Sequence, residues 1–175
     1  MRFGILRSTL VSLVLGVALS GAAHAQEPAS KRPSDSRFAI QGNLGFSNFL
    51  DDYGLYHYVA GGNARIRIFR GLTFVPEFTY MYRSRADRDF LLLPNVAWEF
   101  RRGKRIVPYV IGGVGMLNHR ANTDYWDSNI TGAISGGGFG AKLFLNQRVF
   151  IAPEFRIGWE PHYRFTMGVG YVLAR

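Results

Sequence analysis

The chain's chemistry is bounded first by what it lacks. No cysteine occurs among its 175 residues, which removes a disulfide framework, a thiolate metal site and a cysteine nucleophile. His119, Asp124 and Ser128 fall in one stretch and could be drawn as a nucleophilic triad. A triad needs surrounding groups to hold it, and a single loop supplies few of them. His57 and His119 show no metal-ligand spacing. Gly136-Gly137-Gly138-x-Gly140 is followed by neither Lys-Ser nor a helix start, so it is not a phosphate loop. Close strand packing explains those glycines better. No catalytic residue, metal or cofactor is expected.

Charges set among apolar residues are more informative. Arg65 and Glu77 flank a short polar break at 70–71, and Lys142 and Glu154 flank another at 146–148. Each glutamate sits in Pro-Glu-Phe: Pro76-Glu77-Phe78 and Pro153-Glu154-Phe155. If both breaks are tight turns centred on 71 and 148, each basic residue faces its glutamate across a hairpin. A charge held away from water needs a partner. Arg65, Arg67, Glu77, Glu99, Lys142, Glu154 and Arg156 are therefore read as one set of interior ion pairs.

The elements that position them follow from period-two patterning. Apolar residues alternate at Phe38–Phe46, Ala64–Ile68, Leu72–Tyr82, Phe90–Phe100, Ile151–Trp159 and Phe165–Leu173. Ile106–Leu117 is apolar on both faces, and Ile130–Leu145 is rich in glycine. That makes eight strands, most of them longer than strands of soluble sheets and near the length that crosses a bilayer when tilted. Segments 47–57, 83–89, 118–129 and 160–163 read as long or polar loops, whereas 70–71, 101–105 and 146–148 read as shorter turns. An even strand number with alternating short and long connections is the pattern of an outer-membrane barrel. Pro76, Pro94, Pro108 and Pro153 fall inside strands, where each removes a ladder hydrogen bond.

The two faces decide which side is the interior. One carries Phe, Tyr, Trp, Leu and Ile; the other carries Gly, Ala, Thr, Asn and a few charges. A soluble sandwich would show more Lys and Glu on its solvent face. A small, sparsely charged polar face suits the narrow interior of an eight-stranded barrel. The chain is thus read as an all-β, eight-stranded antiparallel transmembrane up-and-down β-barrel over residues 37–175, apolar side outward. Aromatics fall near both strand ends, as interfacial girdles do. Phe46, Phe49, Tyr53, Tyr56, Tyr58, Tyr80, Tyr82, Phe90, Trp126 and Trp159 lie toward the long loops. Phe69, Phe74, Trp98, Phe100, Phe144, Phe150 and Tyr171 lie toward the short turns.

Arg2 and Arg7, the apolar run Leu10–Leu19 and Ala23-His24-Ala25 make residues 1–25 a signal peptide. Residues 26–36, QEPASKRPSDS, read as a flexible periplasmic linker. The net charge of +9 does not point to nucleic acid. Its densest cluster, Arg101-Arg102-Gly103-Lys104-Arg105, is a turn with no binding motif around it. Arg83, Arg85 and Arg88 lie in an outer loop and could contact lipopolysaccharide phosphates, because arginine binds phosphate bidentately.

Pro108-Tyr109-Val110-Ile111-Gly112-Gly113-Val114-Gly115 resembles the Pro-Tyr-x-x-x-Gly-x-Gly strand of small OmpA/OmpX-like and opacity-type (porin-like) outer-membrane barrels. Thr166, Gly168, Tyr171 and Leu173 resemble the last-strand signal that the barrel-assembly machinery reads, although this chain ends Leu173-Ala174-Arg175 where such families commonly end on Phe. Some barrels of this size are lipid A deacylases with a His-x-Ser-Asn motif; the matching stretch here, His162-Tyr163-Arg164-Phe165, lacks the serine and asparagine. The resemblance implies a monomeric barrel of the Gram-negative outer membrane, in contact with lipid, lipopolysaccharide and the assembly machinery. Its expected role is structural or interactive, with surface loops for adhesion or lipopolysaccharide contact. Narrow porin-like transport of small solutes is the alternative, and an enzyme ranks third.

Overall fold

The computed structural model describes residues 36–49, 56–84, 87–100, 104–123, 126–159 and 162–174. The leader, nearly all of the linker, Tyr53, Arg85, Arg101–Gly103 and Asp124 lie outside them. Eight strands follow in order: β1 Phe38–Phe49, β2 Tyr56–Arg67, β3 Leu72–Ser84, β4 Asp87–Glu99, β5 Ile106–Thr123, β6 Trp126–Phe144, β7 Val149–Gly158 and β8 His162–Ala174. Each pairs antiparallel with its neighbour in sequence, and β8 returns to β1 to close a barrel. Closure removes the sheet edges, which would otherwise leave backbone groups unpaired. The first and last strands meet at one end, where the Arg37 N–H donates to the Ala174 carbonyl at 2.9 Å. We call this the terminal end, and the opposite one the loop end.

Side chains alternate as the period-two pattern requires. In β4 the even positions face outward and the odd positions are buried or nearly so. Ile40, Leu44, Phe78, Leu92, Val96, Val110, Ile157 and Val169 form part of an exposed apolar belt. A closed barrel with its large apolar residues outward and its charges inside is built for lipid, not water. Phe144 and Phe150 depart from the expected girdle. Both point inward, where they pack with Ala39, Val107, Ala152 and Val172 across the terminal end of the lumen.

The expected loop-length asymmetry is corrected by the structure. Residues 118–123 and 126–129 are not loop but the continuation of β5 and β6, which reach 18 and 19 residues. Their rungs run out to Thr123 opposite Trp126. Polar side chains help hold this extension, Asn118 donating to Asn129 Oδ1 at 2.8 Å and to Thr131 Oγ1 at 2.9 Å. Likewise β3 reaches Ser84 and β4 starts at Asp87, so most of 83–89 is ladder. At 83–89 and 118–129 the loop end is thus built from extended strands rather than from loops, while residues 50–55 of the expected 47–57 loop lie outside the described residues.

The in-strand prolines now have an account. Pro76 and Pro94 stand opposite one another on the β3–β4 ladder. The β2–β3 rungs are interrupted between Asn63↔Glu77 and Ile66↔Phe74, and the β4–β5 rungs between Leu92↔Met116 and Asn95↔Gly113. Pro153 keeps its rung with Met167 of β8, while the β6–β7 rungs lapse between Gly140↔Glu154 and Leu143↔Ile151. Pro108 pairs with Ala141 of β6 and lies beyond the last β4–β5 rung, Glu99↔Tyr109. Each proline therefore spends its missing N–H on one side of its strand and leaves the other ladder whole.

Candidate functional site

The lumen is built in layers, and the inward face of β4 reads them off in order from the loop end: Asp87, Asp89, Leu91, Leu93, Asn95, Ala97, Glu99. Deepest is an ionic network. Glu77, 2% exposed, accepts from Arg156 NH2 and Arg164 NH2, both at 2.6 Å, and from Thr79 Oγ1 at 2.8 Å. Asn95 donates to Glu77 Oε2 at 3.3 Å and to the Val75 and Leu93 carbonyls, while its own oxygen accepts from Arg156 at 2.9 Å. Arg156 Nε also donates to Glu154 Oε1 at 2.6 Å, and the Tyr109 hydroxyl donates to Glu154 Oε2 at 2.8 Å. Next to this, Lys142 donates to Glu99 at 2.7 Å and Arg65 lies 3.7 Å from the same oxygen. The Arg65 guanidinium stacks over the Tyr109 ring, 4.3 Å from its centroid.

All seven residues expected inside fall on the inward face, and six of them are buried; Arg67, at the end of β2, is half-buried. The pairing, however, is corrected. Glu77 stands opposite Asn63, and Glu154 opposite Gly140, so neither faces its expected base. The β2–β3 turn closes through Ile68 N–H to Leu72 C=O and Leu72 N–H to Phe69 C=O, with Gly71 at φ +97°, which places its centre at residue 70. A one-residue error in turn centre moves the partner by two positions, which preserves facing but changes every rung. Arg65 and Lys142 converge on Glu99 instead, and Glu77 takes Arg156 and Arg164 from across the barrel.

Above the ionic network lies an apolar layer of Val59, Met81, Leu91, Leu93, Leu117 and Ile134. At the loop end above it, four polar side chains meet from β2, β4 and β5. His57 Nε2 lies 3.0 Å from Asp87 Oδ2, and His119 Nδ1 lies 2.6 Å from Asp89 Oδ1 and 4.0 Å from Asp87 Oδ1. His57 and Asp89 are each 2% exposed. The carboxylate seen beside His119 is thus that of Asp89, and His119 belongs to this mouth cluster. Arg83 approaches Asp87 Oδ2 at 3.8 Å, so it turns toward the mouth. Arg88 points outward, and its rung partner is Arg120, also exposed.

No family model matches the sequence, and no curated protein sequence matches it. Solved structures do match. Neisserial surface protein A superposes with a TM-score of 0.70 at 15% identity, over 79% of this chain and 98% of that one. The N-terminal β-barrel domain of Pseudomonas aeruginosa OprF gives 0.63 at 13% identity, over 76% and 96%. Ail of Yersinia pestis, solved with the heparin analogue sucrose octasulfate, gives 0.56 at 11% identity, over 78% and 96%. The chain has the fold of the small eight-stranded outer-membrane β-barrels.

Within this outer-membrane barrel fold, sequence reading missed Arg164, Asn95 and the mouth cluster. Arg164 had a usable signal: it shares the parity of Thr166 and Gly168 on a strand whose other face is apolar. The resembling strand gains a physical reason as well. Tyr109 is the residue that joins Arg65 to Glu154, and a Cβ at Gly140 would come within 2.6 Å of the Tyr109 ring. Glycine is therefore required where the tyrosine crosses its neighbour strand.

Proposed function

We propose that the protein is a closed outer-membrane barrel of a Gram-negative envelope, with a structural or interaction role rather than a transport or enzymatic one. The observation that carries this reading is the filled lumen. A buried ionic network lies between the Phe144–Phe150 cluster at the terminal end and the apolar layer toward the loop end. Ions crossing it would have to break a fully bonded carboxylate and then pass the apolar side chains of Val59, Met81, Leu91, Leu93, Leu117 and Ile134. The test is conductance in planar bilayers, where the expected outcome is no steady ion-sized steps; reproducible steps would favour narrow transport of small solutes.

The interaction partner we propose is the lipopolysaccharide leaflet. Arg88 and Arg120 share a rung on the outer face at the loop end. Like charges directly opposite each other are unfavourable unless an anion bridges them, and paired guanidiniums suit a phosphate. Tyr82, directly opposite Arg88 on β3, supplies an exposed aromatic at the same height. The complex of Ail with a sulfated heparin analogue supports a polyanion surface on such a barrel. Arg83, turned to Asp87 at the mouth, is not part of this outer pair, and Arg85 lies outside the described residues; Thr166, Gly168, Tyr171 and Leu173 serve as the assembly signal in this reading. The test compares refolding into vesicles with and without lipopolysaccharide. The wild type prefers the former, and R88S with R120S loses that preference; an unchanged preference removes this partner.

A further inference from the structure

The mouth cluster does what neither the lumen network nor the outer surface requires. We propose that His57, Asp87, Asp89 and His119 form a site for a divalent transition-metal ion of the zinc class. Three strands that are not all neighbours converge on it: β2 supplies His57, β4 both aspartates, and β5 His119. Candidate ligand atoms of His57, Asp87 and Asp89 all lie within 4.8 Å of one another. Ligands around a tetrahedral zinc sit ~2.0–2.2 Å from the metal and so ~3.3–3.6 Å apart. The contacts of 2.6, 3.0 and 4.0 Å straddle that spacing, and His119 reaches the other three through Asp89 and Asp87.

Charge and donor type give the class of ion. Two carboxylates on one face of β4 each lie beside an imidazole, so a dication offsets both negative charges where Arg83, 3.8 Å away at the rim, offsets one. Two imidazole nitrogens suit zinc, nickel or copper, whereas calcium and magnesium favour all-oxygen cages. A separate observation points the same way. Asp87 Oδ1 is inaccessible to solvent and accepts no hydrogen bond among the described residues, although it lies on the side of His119. A buried acceptor left without a donor is where an ion belongs. The apolar layer of Leu91 and Leu117 beneath keeps the site from the lumen, and the half-exposed His119 opens it to the outside.

The experiment uses the full chain without an affinity tag, refolded in detergent and titrated with Zn2+ by calorimetry and with Co2+ by visible absorption. The wild type takes up one equivalent of Zn2+, gives the absorption of a tetrahedral cobalt site, and is not displaced by excess Mg2+. D87N and H119Q, shown to be folded by heat-dependent gel mobility, bind at least about tenfold more weakly, since even outer partners of a metal site carry that much. The wild type also unfolds at higher urea with Zn2+ present, and the variants do not. No saturable equivalent in the wild type, or the same affinity in both variants, overturns the site and leaves two His–Asp pairs in its place.

Discussion

Replacing Glu77 by glutamine tests the lumen network at its centre. The carboxylate accepts four hydrogen bonds, two of them from guanidiniums at 2.6 Å. Arg156 keeps a second acid in Glu154 at 2.6 Å, whereas the ion pair of Arg164 is with Glu77. The buried network holds Arg65, Lys142, Arg156 and Arg164 against Glu77, Glu99 and Glu154, four charges against three, so +1. E77Q raises this to four against two, +2, with the excess on Arg164. Breaking a buried pair on one side costs about 3–5 kcal/mol. Glutamine still offers one oxygen to Arg156, so the expected loss is about 3–4 kcal/mol. R164M alone leaves Glu77 with Arg156, Thr79 and Asn95, and should cost about 1–3 kcal/mol. The double variant returns the count to +1 and should fall short of the summed losses by about 1.5 kcal/mol or more, well outside the scatter of independent sites. The measurement is urea unfolding of the refolded barrel in detergent or lipid, followed by tryptophan fluorescence. Additive losses within about 0.5 kcal/mol would refute the contact between these side chains.

Further expectations follow from the same geometry. Val96, 46% exposed on the lipid belt, should cost about 2–4 kcal/mol when changed to arginine, whereas Thr73→Ser on the inward face of the neighbouring strand should cost about 1 kcal/mol; equal losses by urea unfolding would sink the facing. Asn95 is unsuitable as a mild lumen control because it bridges Glu77 and Arg156. Tyr109→Phe should lose about 1.5–3 kcal/mol, the worth of a hydrogen bond to a charged group, and that loss should largely vanish in an E154Q background. A double-mutant cycle should couple Lys142 to Glu99 by about 1 kcal/mol or more and leave Lys142 with Glu154 near additive. A protease tag inserted between Thr123 and Trp126 should be cut on intact cells and one between Leu145 and Val149 should not; the opposite result reverses the barrel in the membrane.

Why some of this was legible in the sequence and some was not has a definite physical basis. Facing is a local property with a period of two residues, so alternation along Leu72–Tyr82 and Phe90–Phe100 was enough to assign outside and inside. The large outward residues and the few inward charges then required a closed barrel with lipid around it. The ends of strands were not legible. Asn118, Asn129 and Thr131 look like loop residues because they are polar, but a hairpin that projects into water can be polar on both faces and still keep its ladder. The prolines looked like a fault for the same reason: which side of a strand loses its rung is decided by the neighbour, not by the strand.

Partner choice inside the lumen was the clearest decision of the tertiary structure. The sequence required that Arg65, Lys142, Glu77 and Glu154 be paired, because none can stay charged and alone in a narrow interior. It could not say with which partner. Each hairpin is centred one residue earlier than its composition suggests, and closure brings β7 and β8 across from β3. The mouth cluster is the extreme case. His57, Asp87, Asp89 and His119 span more than sixty positions with no common motif, and only the stagger of three strands in a closed barrel sets them at one height.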